Sequence, residues 1–151
     1  DYELIFVDDG SSDSSAMILR EIAFNDKHVK VLLLARNFGH QTALTCGLDY
    51  AHGDAVITMD GDMQHPPALI PELVRLWESG YDVVRTIRDS TDDASWAKSF
   101  TSKYYYKLMN KMADVPIVEG GSDFRLMNSK ALGTLKRFRE HGRFLRGIVG
   151  A

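Results

Sequence analysis

Short apolar runs punctuate the first half of the chain, at Tyr2–Val7, Val29–Leu34, Ala55–Met59 and Asp82–Val84. Each has the length of a strand, and their starts are spaced by about one strand–helix–strand unit. Between them the apolar residues fall at helical spacing. Ile18, Leu19, Ile22 and Ala23 form one such set, Ala43, Leu44, Gly47, Leu48 and Ala51 a second, and Leu69, Ile70, Leu73, Val74 and Trp77 a third. Ser11, Ser12 and Asp13 offer N-cap chemistry to the first helix, and Pro66-Pro67 suits the start of the third. Strands alternating with helices predict an α/β fold, a mostly parallel open sheet with helices on both faces.

After Arg85 the pattern changes. Asp89–Asp93 is polar and acidic and reads as an exposed loop. Trp96, Phe100, Tyr104, Leu108 and Met112 recur every fourth residue, which predicts one long amphipathic helix. Tyr104-Tyr105-Tyr106 reads as core plus an edge facing lipid or a partner. Gly120-Gly121 predicts a flexible turn, a short helix follows near Ser129–Phe138, and the tail His141–Arg146 is basic. The chain opens without Met, in what reads as mid-strand, and stops just after a run that looks like the start of another element. The expectation is a single domain over residues 1–151, cut at both ends from a longer protein.

Composition narrows the function classes. The 151 residues suffice for one domain with a real core. A formal net charge of -3 argues against a generally basic nucleic-acid surface, so no nucleic-acid partner is expected. The single cysteine, Cys46, allows no internal disulfide and lies in a helical apolar pattern, where it reads as a small core residue. No run approaches the roughly 18–20 apolar residues that span a bilayer, so this piece is expected to be soluble.

In an open α/β sheet, ligands bind at the carboxyl ends of the strands. Here those ends carry Asp8-Asp9-Gly10-Ser11, Arg36-Asn37, Asp60-Gly61-Asp62 and Arg85. Two carboxylates one residue apart on a tight turn can face one hard cation. Mg²⁺ or Mn²⁺ prefers such oxygen ligands and often bridges substrate phosphates. Gln64 and His65 follow closely enough to complete the shell. At the first strand end, Gly10 and Ser11 suffice for a turn and cap but leave two adjacent carboxylates unexplained. A carboxylate there can accept hydrogen bonds from a base N–H or a ribose hydroxyl.

These residues carry a resemblance. Asp8–Asp13, Arg36-Asn37-Phe38-Gly39-His40 and Asp60–Pro66 together resemble family 2 glycosyltransferases of the GT-A fold, a Rossmann-like architecture. The likeness is closest to the polyprenyl-phosphate branch, with dolichol-phosphate mannose synthases and bactoprenol glucosyltransferases. Ser95-Trp96, Phe124–Met127 and Arg143–Gly147 are similar to that branch too. The resemblance implies an inverting, metal-dependent transfer of a sugar from a nucleoside-diphosphate sugar, UDP- or GDP-linked. The implied acceptor is a polyprenyl phosphate, undecaprenyl or dolichyl, and the implied setting is cell-wall or lipopolysaccharide biosynthesis. A saccharide hydroxyl in polysaccharide synthesis is the alternative acceptor.

Residue by residue, the resemblance assigns Asp8, Asp9, Ser11, Arg36, Asp60 and Gly61 to the donor and Asp60, Asp62 and Gln64 to a Mg²⁺ or Mn²⁺ ion. Asp123 falls where some relatives carry a proposed base, and Arg125 near a donor or acceptor phosphate. Arg143 and Arg146 match an Arg-x-x-Arg element, but Gly147 follows where processive relatives carry Trp. The family's first strand is expected to precede Asp1, and membrane-associated parts to follow Ala151, placing the parent at the cytoplasmic face of a membrane. Two readings of other classes remain open: a receiver-like signalling domain, with Asp8-Asp9 and Asp60 at strand ends, and a nucleotidyltransferase of related topology.

Overall fold

The alternation of short apolar runs with helical stripes becomes an alternation of strands and helices in the computed structural model, which describes residues 1–87 and 121–137. In order these are β1 (Leu4–Asp8), α1 (Ser15–Asn25), β2 (Val29–Leu33), α2 (His40–Tyr50), β3 (Ala55–Thr58), a 3₁₀ turn (Pro67–Leu69), α3 (Ile70–Glu78), β4 (Val83–Ile87), β5 (Gly121–Asn128) and α4 (Ser129–Arg137). The α/β class expected from the pattern is the class observed. The Asp89–Asp93 loop, the Trp96–Met112 helix with its tyrosines, and the tail carrying Arg143 and Arg146 lie outside the described residues.

The described chain divides into two compact units, one built from residues 1–56 and 128–137, the other from 57–87 and 121–127. In the first, β1 and β2 run parallel, paired from Leu4 with Val29 through Asp8 with Leu33. Parallel neighbours need a crossover, and α1 supplies it, packing on both strands. Its inward residues are Ala16, Leu19 and Ala23, whereas Ile18 and Ile22 are 48% and 41% exposed. The expected stripe is therefore rotated about the helix axis, and alanines rather than isoleucines meet the strands. Ser14 is the N-cap residue without a side-chain cap bond, and Asp13 Oδ1 instead accepts the Ser15 N–H.

Helix α2 packs on β1, where a Cβ added to Gly47 would come within 3.1 Å of Val7 Cγ2. Its last carbonyls are satisfied from α4, where Lys136 Nζ donates to Asp49 O at 3.1 Å and Ala51 O at 3.2 Å. A cation at a helix C-terminus is favoured by the aligned peptide dipoles. Leu132 and Leu135 form the buried side of α4. Glu3 ties the start of β1 to its surroundings, accepting from Lys30 Nζ and from the His52 N–H. Those bonds, the lysine's first, hold its carboxyl below the usual carboxylate range.

In the second unit the strand order is β3-β5-β4, and β5 runs antiparallel to β4, with Val83 opposite Met127 and Arg85 opposite Arg125. Among the described residues, pairing is thus parallel at β1–β2 and antiparallel at β4–β5, in two sheets. The register breaks between Arg85 and Ile87. The sequence pattern offers a turn at Gly120-Gly121 and names no strand after it; instead β5 begins at Gly121. The reason is chemical. Residues 123–127 are all buried, so no alternation of apolar and polar residues marks the strand, and two of the five are charged. Pro66-Pro67 opens the 3₁₀ turn that leads into α3, with Leu73 buried, as its spacing predicts.

The turns after β1 and β2 meet closely. Gly10 has φ +73°, and a Cβ there would lie 2.4 Å from the Arg36 carbonyl carbon and 2.7 Å from Arg36 Cα. Both obstacles are backbone, which cannot rotate away. Gly10→Ala is expected to lower the stability of the full-length protein by about 1–3 kcal/mol from the left-handed backbone alone, and by more from the clash. Urea unfolding measures this, and an unchanged midpoint with an unchanged slope contradicts the close approach.

Candidate functional site

Asp8 ends β1 with its side chain largely buried, and its Oδ2 accepts the Ser11 N–H at 3.1 Å. Ser11 thus belongs to the turn held by Asp8 rather than to the helix cap. Asp9 reaches across to the loop after β2. Its Oδ1 accepts the Phe38 N–H at 2.7 Å and its Oδ2 accepts the Gly39 N–H at 2.9 Å. Gly39, with φ +93°, is the N-cap residue of α2 and has no side chain to cap it. The carboxylate of Asp9 therefore does the work of a cap from another loop, where negative charge is favoured by the helix dipole. Arg36 lies exposed with its guanidinium 4.8 Å from the centre of the Phe38 ring, a cation–π contact.

In the second unit, Asp60 and Asp62 follow β3 in a turn. The backbone reverses at Met63, a non-glycine residue with φ +64° whose side chain is fully open to solvent. Asp62 Oδ1 accepts the Gln64 N–H at 3.0 Å, the side-chain-to-backbone bond that lets Asp shape tight turns. The Asp60 N–H donates to His65 Nδ1 at 3.0 Å. His65 is buried, its Nε2 lies 3.7 Å from Asp60 Oδ2, and its ring stacks on Phe124 with centroids 5.2 Å apart. Expected as a possible member of a cation shell, His65 instead has Nδ1 engaged by the backbone of the turn.

Among the described residues, no group of three or more His, Cys, Asp or Glu side chains converges as a metal cage. What the turn does offer is oxygen: the Asp60 carboxylate, one-third exposed, and the exposed Asp62. An all-oxygen set with few protein ligands fits a hard cation that takes its remaining ligands from substrate phosphates and water. Gly61 is exposed, with open space where a Cβ would stand.

Strand β5 carries the other charged pair. Asp123 Oδ1 and Arg125 Nη2 are 2.5 Å apart, with side chains 1% and 3% exposed. Side chains two apart on a strand point to one face, so these two meet while Phe124 and Leu126 fill the other. Threonine hydroxyls secure the strand from its neighbours. Thr58 of β3 donates to Asp123 O, and Thr86 of β4 donates to Phe124 O at 2.8 Å. The motifs drew attention to Asp123 and Arg125 but not to Thr58, Thr86 or the stacking of His65 on Phe124. The only sequence signal for these was a polar residue ending or entering an apolar run. Away from both groups, Cys46 is half-buried, and burial, with Asp49 adding to it, pushes its thiol up.

Residues 1–135 match the family described as Glycosyl transferase family 2. The chain belongs to that family. An uncharacterized glycosyltransferase of Bacillus subtilis (strain 168), YkcC, is 44% identical over 148 residues, covering 98% of this chain and 46% of that protein. A bactoprenol glucosyl transferase of Shigella phage SfV is 39% identical over 147 residues, covering 97% of this chain and 48% of its own length. A prophage bactoprenol glucosyl transferase homolog of Escherichia coli (strain K12) is 38% identical over the same number of residues. The chain thus spans about half the length of the curated relatives it matches. Membership of family 2 removes the receiver-like and nucleotidyltransferase readings.

The buried pair in this family 2 chain has a measurable signature. Removing one partner of a buried ion pair typically costs about 3–5 kcal/mol, whereas replacing both by apolar groups is often near neutral. Asp123→Leu and Arg125→Met are each expected to lower stability by that amount, and the double variant to recover most of it. Denaturant unfolding of the full-length variants gives the cycle. Losses that simply add contradict a directly coupled pair.

Proposed function

We propose that this chain is the donor-binding catalytic domain of an inverting glycosyltransferase that moves a sugar from a UDP- or GDP-sugar to a polyprenyl phosphate. The observation that carries the reading is the all-oxygen Asp60-Gly61-Asp62 turn directly after β3, in a chain of family 2. The lipid acceptor is supported by the likeness to the bactoprenol glucosyl transferase of phage SfV over nearly all of this chain. On this reading the parent works at the cytoplasmic face of a membrane; no helix among the described residues is long and apolar enough to cross one.

Asp60 and Asp62, with Gln64, would hold Mg²⁺ or Mn²⁺. Such an ion offsets the negative charge that grows on the departing diphosphate. The chain's own residues do the rest. Asp8, Asp9, Ser11, Arg36 and Gly61 receive the nucleotide and sugar. Asp9 acts mainly by shaping the loop at Phe38 and Gly39, since both of its oxygens already accept an N–H there. An ionised carboxylate has about four acceptor sites, so capacity for a ribose hydroxyl remains.

The acceptor decides the role of β5. A lipid phosphate is already anionic and needs positioning more than deprotonation. A guanidinium fixed by a carboxylate suits that task, and Arg125 is so fixed by Asp123. Arg143 and Arg146 would join it in holding phosphate. With a hydroxyl acceptor, Asp123 would serve as base, but it would have to give up the Arg125 pairing to take a proton. The buried ion pair therefore favours the phosphate over the saccharide hydroxyl.

Asp62→Ala in the full-length protein is expected to abolish sugar transfer and its stimulation by Mn²⁺ while leaving the global fold intact, because Asp62 is exposed and its bond to the Gln64 N–H is local to the turn. Undiminished transfer sinks the metal assignment. A thermal-shift screen against UDP- and GDP-sugars with Mn²⁺ is expected to raise the melting temperature with one nucleotide class and not the other. Radiolabel carried into undecaprenyl phosphate supports the lipid acceptor, and label found only in free saccharide overturns it.

A further inference from the structure

We propose that His65 is the positioning residue of the Asp60–Asp62 turn, a neutral ring protonated on Nε2 that latches the turn through Nδ1 and seats it on Phe124 of β5. The inference rests on the reading of that turn as the metal site, and it adds a group that acts through Asp60 rather than on the cation.

Three observations converge. The Asp60 N–H donates to Nδ1 at 3.0 Å. Nδ1 is then an acceptor and carries no proton, which puts the proton of the neutral ring on Nε2. Nε2 in turn lies 3.7 Å from Asp60 Oδ2, near the carboxylate of the same residue but beyond hydrogen-bond distance. The ring is itself immobilised, because His65 is 5% exposed and Phe124 1%, stacked with an interplanar angle of 20°.

Gly61, Asp62, Met63 and Gln64 are all exposed, and His65 is the buried residue that follows them. The backbone at Met63 is in the left-handed region, a strained conformation that a bulky residue keeps only where its surroundings impose it. The His65 bond to the Asp60 N–H and the Asp62 bond to the Gln64 N–H both bracket that residue. A ligand carboxylate aimed by an outer group binds its metal more tightly, and loss of such a group typically weakens metal affinity by about 10–100-fold.

The two amide substitutions separate latching from mere packing. His65→Asn places an amide oxygen near the position of Nδ1, whereas His65→Gln places it nearer to Nε2. In the full-length protein, Mn²⁺ binding is read by electron paramagnetic resonance without sugar donor. His65→Asn is expected to keep most of the affinity, and His65→Gln to lose it by about 10–100-fold. In the wild-type protein, ¹H–¹⁵N correlation spectra are expected to show His65 with its proton on Nε2. The Asp60 amide is expected to exchange slowly in wild type and His65→Asn, and faster in His65→Gln. Equal loss in both variants, equal binding in both, or a proton on Nδ1 overturns the proposal. If wild-type protein binds no Mn²⁺, the metal reading of the turn fails by itself. The tautomer and the Asp60 amide exchange need no metal, and they then decide the latch alone.

Discussion

The second unit depends on keeping charge inside a central strand. Five consecutive residues of β5 are buried, and two of them are Asp123 and Arg125. Taking two ions out of water is costly, and their mutual attraction offsets that only with good geometry and full hydrogen bonding. The structure meets the condition on several sides. The two side chains bond each other on one face, and Phe124 and Leu126 make the other face apolar. The carbonyls of Asp123 and Phe124 receive hydroxyls from Thr58 and Thr86 on the neighbouring strands. An apolar pair of the same volume would hold such a strand as well or better. Stability alone is thus a poor reason for these residues, and on the proposed reading the fixed guanidinium serves an anionic substrate.

The first unit solves a different problem, how to hold two loops against each other at the ends of parallel strands. Parallel strands deliver their carboxyl ends side by side, so the turns after β1 and β2 leave in the same direction. Gly10 allows the backbones to approach, and Asp9 fastens them with two charge-assisted hydrogen bonds. One of the two bonds is to the N–H of Gly39, the α2 N-cap residue, and Asn37 Oδ1 accepts that N–H as well. Asp9 is thus both a rim carboxylate and the clasp that makes the rim, and its substitution reports on shape as well as on ligand contact.

The α/β class, three of the helices before residue 80, the final short helix and four strands were legible from periodicity, because each has one apolar side. What periodicity missed has a physical pattern. Strand β5 is buried on both faces and contains an ion pair, so neither alternation nor an unbroken apolar run announces it. Ile18 and Ile22 look like core by type, yet the smaller Ala16 and Ala23 face the strands. The acidic turns were readable because carboxylates at strand ends are unusual. The partners of those carboxylates were not readable: the Phe38 and Gly39 amides lie 29 and 30 residues from Asp9 in the chain, and nothing in spacing reports such a bond.

The turn after β3 is asymmetric, and the asymmetry bears on how it would work with a cation. Asp60, two residues past the end of β3, is held at its N–H by His65, while Asp62 is exposed and accepts the Gln64 N–H. A fixed carboxylate places the ion without reorganisation when charge develops on a leaving group, which is where preorganised groups contribute most. A second, exposed carboxylate leaves the coordination sphere open for phosphate oxygens to enter and leave. Two rigid carboxylates would bind the ion well and exchange its substrate ligands poorly. Two mobile ones would lose the placement. On the proposed reading, a half-buried carboxylate beside an exposed one would suit a site that must hold a metal–diphosphate complex during transfer and release the diphosphate afterwards.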